Sequence, residues 1–152
     1  MSQLSDLAKR IPDAYIGKSG KGMDAADHTV IRQLLLLYLG PYSWEVEESV
    51  YTDLPELVTK NNTYPGGRMV TGCYGRLTAT IDGVPITVRE PGGVERPQMI
   101  DGDGERLKHA ASDALKRCAM SEGLGLHIWA QGSYFLDRAL EKRAEAKNGT
   151  AA

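Results

Sequence analysis

The sequence predicts an α+β fold in which an antiparallel sheet is backed by one long helix, with further helices before and after. Three observations lead there. From Asp103 to Gly125, the residues Leu107, Ala110, Ala111, Ala114, Leu115, Cys118 and Ala119 recur at i, i+3, i+4 and i+7. That is the apolar stripe of a helix lying on a core. From Met69 to Val88 the residues alternate in strand fashion around Asp82-Gly83, a two-residue hairpin turn. Helix-spaced apolar segments with start and stop signals flank both features.

Taken in order, Leu4, Leu7, Ala8 and Ile11 fall on one side of a short helix that Pro12 ends. Gly17 to Gly22 is rich in Gly and Lys and reads as a flexible loop. It lacks the G-x-x-x-x-G-K-[ST] order of a P-loop, so nucleotide binding is not expected. Asp27 is an N-cap for a helix over Thr29 to Leu39, closed by Gly40-Pro41. Its Leu34 to Leu37 run is apolar nearly all round, which predicts either deep burial or a subunit interface. A strand begins at Tyr42, and alternation along Trp44 to Tyr51 sends Glu45 and Glu47 outward. Asp53 to Gly67 carries Asn61-Asn62 and Pro65-Gly66-Gly67 and reads as a loop.

In the hairpin, Ile81 facing Val84 sets a register in which Thr78 opposes Thr87 and Arg76 opposes Arg89. Two arginines across a strand pair repel unless a carboxylate or a phosphate sits between them. Glu90 or a glutamate of the first strand would neutralise them. With Tyr74 on the same face, the arrangement also suits a sugar-phosphate backbone beside an exposed ring. Residues 90 to 104 read as a long connection. In the helix that follows, Asp101, Asp103 and Glu105 crowd the start, where the dipole favours anions, and Gly123 and Gly125 supply the stop. Lys116 and Arg117 stand side by side near its far end. Leu126 to Trp129 reads as a short buried segment closing the sheet, and Leu136 to Lys147 as a charged helix. Residues 1–147 are expected to form a single domain and 148–152 a disordered tail.

Composition limits the function classes. The chain has 152 residues, 41% hydrophobic and 25% charged, with a formal net charge of −2. That balance argues against a uniformly basic nucleic-acid binder, so any DNA contact must come from a local patch. Screening over roughly 8 to 10 Å makes such a patch workable on an acidic protein. Cys73 and Cys118 have no metal-ligand spacing and read as reduced core residues. Val30 to Leu39 is too short to span a bilayer and is interrupted by Arg32 and Gln33; with no signal-peptide pattern, a cytoplasmic location is expected.

The run Ser112-Asp113-Ala114-Leu115-Lys116-Arg117-Cys118-Ala119, followed by Gly123-Leu124-Gly125, resembles the signature helix of the Rad52 family of single-strand annealing proteins. Gly40 to Glu47, GPYSWEVE, resembles that family's junction between helix and first strand, and Leu7 to Ile16, LAKRIPDAYI, its N-terminal helix and turn. The resemblance covers about Leu4 to Trp129. It implies a β-β-β-α core with an antiparallel sheet, N-terminal helices and a C-terminal helix, in the short form found in phage or bacterial members. It also implies a non-enzymatic activity: binding single-stranded DNA and annealing complementary strands in recombination, with no cofactor, ATP or metal. The Lys116-Arg117 pair would line a groove for the DNA backbone, joined by Arg76, Arg89 and Tyr74, with Arg106, Lys108 and Arg32 as further contacts. Where several family members carry a DNA-touching basic residue, this chain has Val30, flanked by His28 and Arg32. The implied partners are single-stranded DNA, further copies of the chain in a ring of ten or more subunits or a spiral, and a host recombinase or single-strand binding protein, in a bacterial or phage-infected cell.

Two rival readings stand beside it. A double-stranded RNA-binding module also places basic residues on a helix after three strands, though in about half this length. A metal-dependent nuclease would use Glu45, Glu47, Asp101 and Asp103.

Overall fold

The computed structural model describes residues 2–19 and 22–150. In chain order the elements are α1 (Gln3–Ala8), β1 (Ile16–Lys18), β2 (Asp24–Ala26), α2 (His28–Leu39), β3 (Ser43–Leu54), β4 (Leu57–Val58) and β5 (Thr63–Tyr64). They continue with β6 (Gly67–Ile81), β7 (Val84–Gly93), α3 (Asp103–Ser121), α4 (Leu126–Ala130) and α5 (Leu136–Thr150). The chain is thus mixed α+β with antiparallel sheets. It divides into two compact units, one of Met1–Tyr42, Ala79–Ile86 and Ala119–Ala152, the other of Ser43–Thr78 and Thr87–Cys118.

The first unit is helical, with a small ribbon. Ser2 caps α1 by accepting from the Ser5 amide at 3.0 Å. The hairpin turn adds to this cap: the Asp82 carboxylate accepts from the Gln3 amide at 2.7 Å and from the Leu4 amide at 3.3 Å. Both turn residues have positive φ, 51° at Asp82 and 79° at Gly83, as a primed hairpin turn requires. Asp27 caps α2 through the Thr29 amide at 2.9 Å, and Gly40 ends it. Ile31, Leu34 and Leu35 are buried, whereas Leu36 and Leu37 are 53% and 73% exposed. Leu36 and Leu37 are therefore not core in a single chain.

The second unit holds the three-stranded sheet, in the order β3-β6-β7, with the Asp103–Cys118 part of α3 laid against one face. Cys73, Ala110 and Ala114 form the centre of the contact, flanked by Trp44, Val94, Leu107 and Ala111. Small residues set how closely helix and sheet approach. A Cβ on Gly92 would fall 2.1 Å from the Ala110 carbonyl oxygen, and one on Gly75 would fall 2.1 Å from the Trp44 ring. The Cys118 thiol lies 3.7 Å from the carbonyl oxygens of both Gly75 and Val88. Burial raises the Cys73 thiol above its ordinary pKa, with the Asp113 charge adding to it. Both cysteines are buried, as expected.

The structure corrects five expectations. The Gly17–Gly22 stretch is not simply a loop: Ile16–Lys18 pairs with Asp24–Ala26, while Gly20 and Lys21 lie outside the described residues. Between Asp53 and Gly67, β3 runs on to Leu54 and Leu57–Val58 pairs with Thr63–Tyr64, because Thr59 Oγ1 takes the Asn62 amide at 3.1 Å and folds the intervening turn. The 90–104 connection is shorter than expected, since β7 continues to Gly93. Leu126–Trp129 is not a segment closing the sheet but the start of helix α4, with Trp129 53% exposed. At the C-terminus, α5 extends three residues into the stretch expected to be disordered, and Ala151 and Ala152 lie outside the described residues.

Candidate nucleic-acid interface

Helix α3 begins on a carboxylate that also binds the sheet. Asp103 accepts from the Val70 amide at 3.0 Å and from Arg106 at 2.8 Å. The Val70 hydrogen bond, then the Arg106 one, hold its carboxyl below the usual range. Arg106 is consumed here: its Nε donates to the Pro97 carbonyl at 2.8 Å, its Nη2 to the Ile100 carbonyl at 2.6 Å, and its side chain is only 13% exposed. Its place is that of a brace between the 97–100 turn and the helix, not that of a phosphate contact. Lys108 is exposed and pairs with Glu105 at 3.0 Å.

At the middle of α3, Asp113 connects sheet and cation. Its Oδ2 accepts from the Gly93 amide at 2.9 Å and from Arg117 Nε at 3.1 Å. Arg117 is thereby oriented from the end of β7. Lys116, the next residue back along the helix, is half-buried. The buried neighbours Ala114, Leu115, Cys118 and Ala119 fix which side of the helix the two cations occupy.

Strand alternation places the second set of cations on the opposite face of the sheet. Cys73 and Leu77 are buried on the helix side, so Tyr74 and Arg76 point away from it. The predicted register holds: the Thr78 and Thr87 hydroxyls lie 3.4 Å apart, and Arg76 and Arg89 converge. Between them stands Glu47, paired with Arg76 and 3.7 Å from Arg89 Nε. Glu48 takes Arg89 Nη2 at 3.2 Å, and the Arg89 guanidinium sits 4.1 Å over the Tyr74 ring. The neutralising carboxylates thus come from the first strand. Glu47 keeps the outward side that alternation predicts, and the register shift between Val46 and Glu48 leaves it without a partner on β6 and sets Glu48 opposite Tyr74, so both carboxylates stand on this face.

One groove containing Lys116, Arg117, Arg76 and Arg89 is therefore not formed within a chain; the two pairs lie on opposite sides of the sheet. Arg32 and His28 sit on α2, in the first unit. The carboxylates that a nuclease reading needs are differently engaged, Glu47 with two arginines and Asp103 with Val70 and Arg106. Among the described residues, no group of three His, Cys, Asp or Glu is placed to hold a metal ion, and no helix is long and apolar enough to cross a membrane. The role of Asp113 had a readable signal in its i, i+4 spacing to Arg117; its bond to Gly93 had none. No protein-family model matches the chain, and no curated protein matches its sequence.

Proposed function

We propose that this chain binds single-stranded DNA and anneals complementary strands without a cofactor, as an oligomeric ring or spiral of the Rad52 type. The observation that carries the reading is the Lys116-Arg117 pair. It lies, half-buried, on a helix whose small residues pack against the sheet, and Asp113 orients Arg117. Cations held on a rigid element can follow a sugar-phosphate backbone while leaving bases accessible to a second strand. Annealing requires phosphate repulsion to be screened and the strands extended; no bond is made or broken.

The test is the double variant K116A/R117A, measured by fluorescence anisotropy on labelled oligo(dT) across a salt series and by an annealing assay. Binding weakens, and the slope of log K against log salt shrinks by about 0.7 to 1 per lost contact. The far-ultraviolet spectrum and melting stay those of the wild type. Wild-type annealing by the double variant overturns the proposal, and so does oligonucleotide cleavage that a chelator abolishes.

A further inference from the structure

The carboxylate between Arg76 and Arg89 has the chemistry of a built-in phosphate substitute. Glu47 Oε1 pairs with Arg76 Nε, while its Oε2 lies 3.3 Å from Arg76 Nη2 and 3.7 Å from Arg89 Nε. A phosphodiester likewise offers two unsubstituted oxygens that share one negative charge, and the guanidinium fork accepts either group. The Tyr74 ring beneath Arg89 completes a platform of two cations and a stacking surface. As folded, that platform is already neutralised.

The placement of Glu47 is specific. The register partner of Arg76 is Glu45, yet Arg76 is paired with Glu47, the residue that the register shift between Val46 and Glu48 leaves without a partner on β6. The bridge is also open to exchange: Arg76 and Arg89 side chains are 45% and 40% exposed and Glu47 26%. Exposed ion pairs are weak and screened by salt, so a polyanion presenting many phosphates can displace one.

We propose that Glu47 is an intramolecular competitor for the Arg76–Tyr74–Arg89 platform, holding it closed to single-stranded DNA until a backbone phosphate displaces the carboxylate. This inference rests on the DNA-binding reading above. It adds a second contact surface on the far face of the sheet and a residue that limits its use.

The experiment compares E47Q with E45Q, which removes the same charge from the same strand without touching the bridge. Oligo(dT) affinity is read by anisotropy over a salt series, in the wild-type and the R76A/R89A backgrounds. E47Q is expected to tighten binding by up to about fivefold, since one exposed ion pair no longer competes. Its salt slope becomes steeper by about 0.7, for one added phosphate contact on a single strand at Arg76, because Glu48 still pairs with Arg89. E45Q shifts affinity by less than about twofold, and E47Q has no effect once both arginines are alanine. E47D, whose shorter side chain withdraws from the bridge but keeps the charge, falls between wild type and E47Q and serves if E47Q melts early. Equal affinities for E47Q and E45Q, or a gain that survives R76A/R89A, overturn the inference while leaving Lys116-dependent binding standing. No binding by the wild type or by any variant at low salt overturns both.

Discussion

At the scale of single residues, the least expected contact is that of His127. Its Nε2 accepts from the Ile11 amide at 2.9 Å, which fixes the ring as the neutral tautomer with its proton on Nδ1. Around it stand Tyr134, edge-on at 6.0 Å between centroids, and Arg10, which reaches over Tyr134 and pairs with Asp137 at 3.5 Å. Burial, followed by the Arg10 charge, holds His127 below its ordinary value of 6.5, while Asp137, Asp13 and Asp24 act in the opposite sense. The unfolded chain therefore binds the extra proton first. Stability is full above about pH 6.5, falls as pH drops through that value towards the folded one, and levels off below it. Urea denaturation from pH 7.5 to 5 should show this decline, and H127Q, which keeps an acceptor but cannot titrate, should lose it. H127A, which strips the Ile11 amide of its acceptor, should cost about 1 to 3 kcal/mol. An unchanged pH slope in H127Q would assign the titration elsewhere. Nothing in the sequence announces this bond. Its partners are 116 residues apart, and hydrophobic periodicity carries no information about such a pairing.

At the scale of elements, legibility followed periodicity. The α3 stripe, the Asp27 cap, the Asp82-Gly83 turn and the facing of Thr78 and Thr87 all rest on local repeats or fixed turn chemistry, and the structure contains each of them. The two short ribbons did not, because pairs of two or three residues are too brief to show alternation. Leu126–Trp129 fits a buried strand as well as a helix turn, because a four-residue stretch with three apolar members, one β-branched and one aromatic, is too short to show its period. The bulge at Glu47 has no local sequence signal, and it sets Glu48 opposite Tyr74, so that Glu47 and Glu48 both reach Arg89. Gly92 illustrates what an element-level reading omits: it looked like part of a turn-rich connection, yet it is the place where β7 meets the backbone of α3. Adding one methyl there pushes Cβ into the Ala110 carbonyl and the Ala114 amide, so G92A should destabilise by about 1 to 3 kcal/mol through overpacking. Gly104, which has open space around its Cβ position in the first turn of the same helix, is the control. G104A should be neutral or stabilising by up to about 1 kcal/mol. Equal denaturation midpoints for G92A and the wild type would show that helix and sheet are not pressed together at this point.

At the scale of the whole molecule, net charge and exposed apolar surface have to be explained together. A chain with a net charge of −2 gains little from bulk attraction to DNA, so under the proposed function the cationic track would come from repetition of Lys116 and Arg117 from copy to copy. The seam that such repetition would use is to be tested first on α2, which turns Ile31, Leu34 and Leu35 inward while leaving Leu36 and Leu37 to solvent. Placing a charge at Leu37, 73% exposed in the single chain, should cost the isolated fold less than about 0.5 kcal/mol. Buried in a subunit contact, the same charge would be strongly unfavourable. Light scattering should accordingly give the wild type a mass many times 16.6 kDa and L37E a mass close to that of one chain, with unchanged helical content. Salt dependence separates this variant from K116A/R117A. L37E keeps every cation but loses the track, so its affinity for long oligonucleotides should fall towards that for short ones, whereas the alanine pair weakens both. A wild-type chain that stays monomeric at working concentration would remove the track altogether, and a large assembly that survives L37E would move the seam off this part of α2.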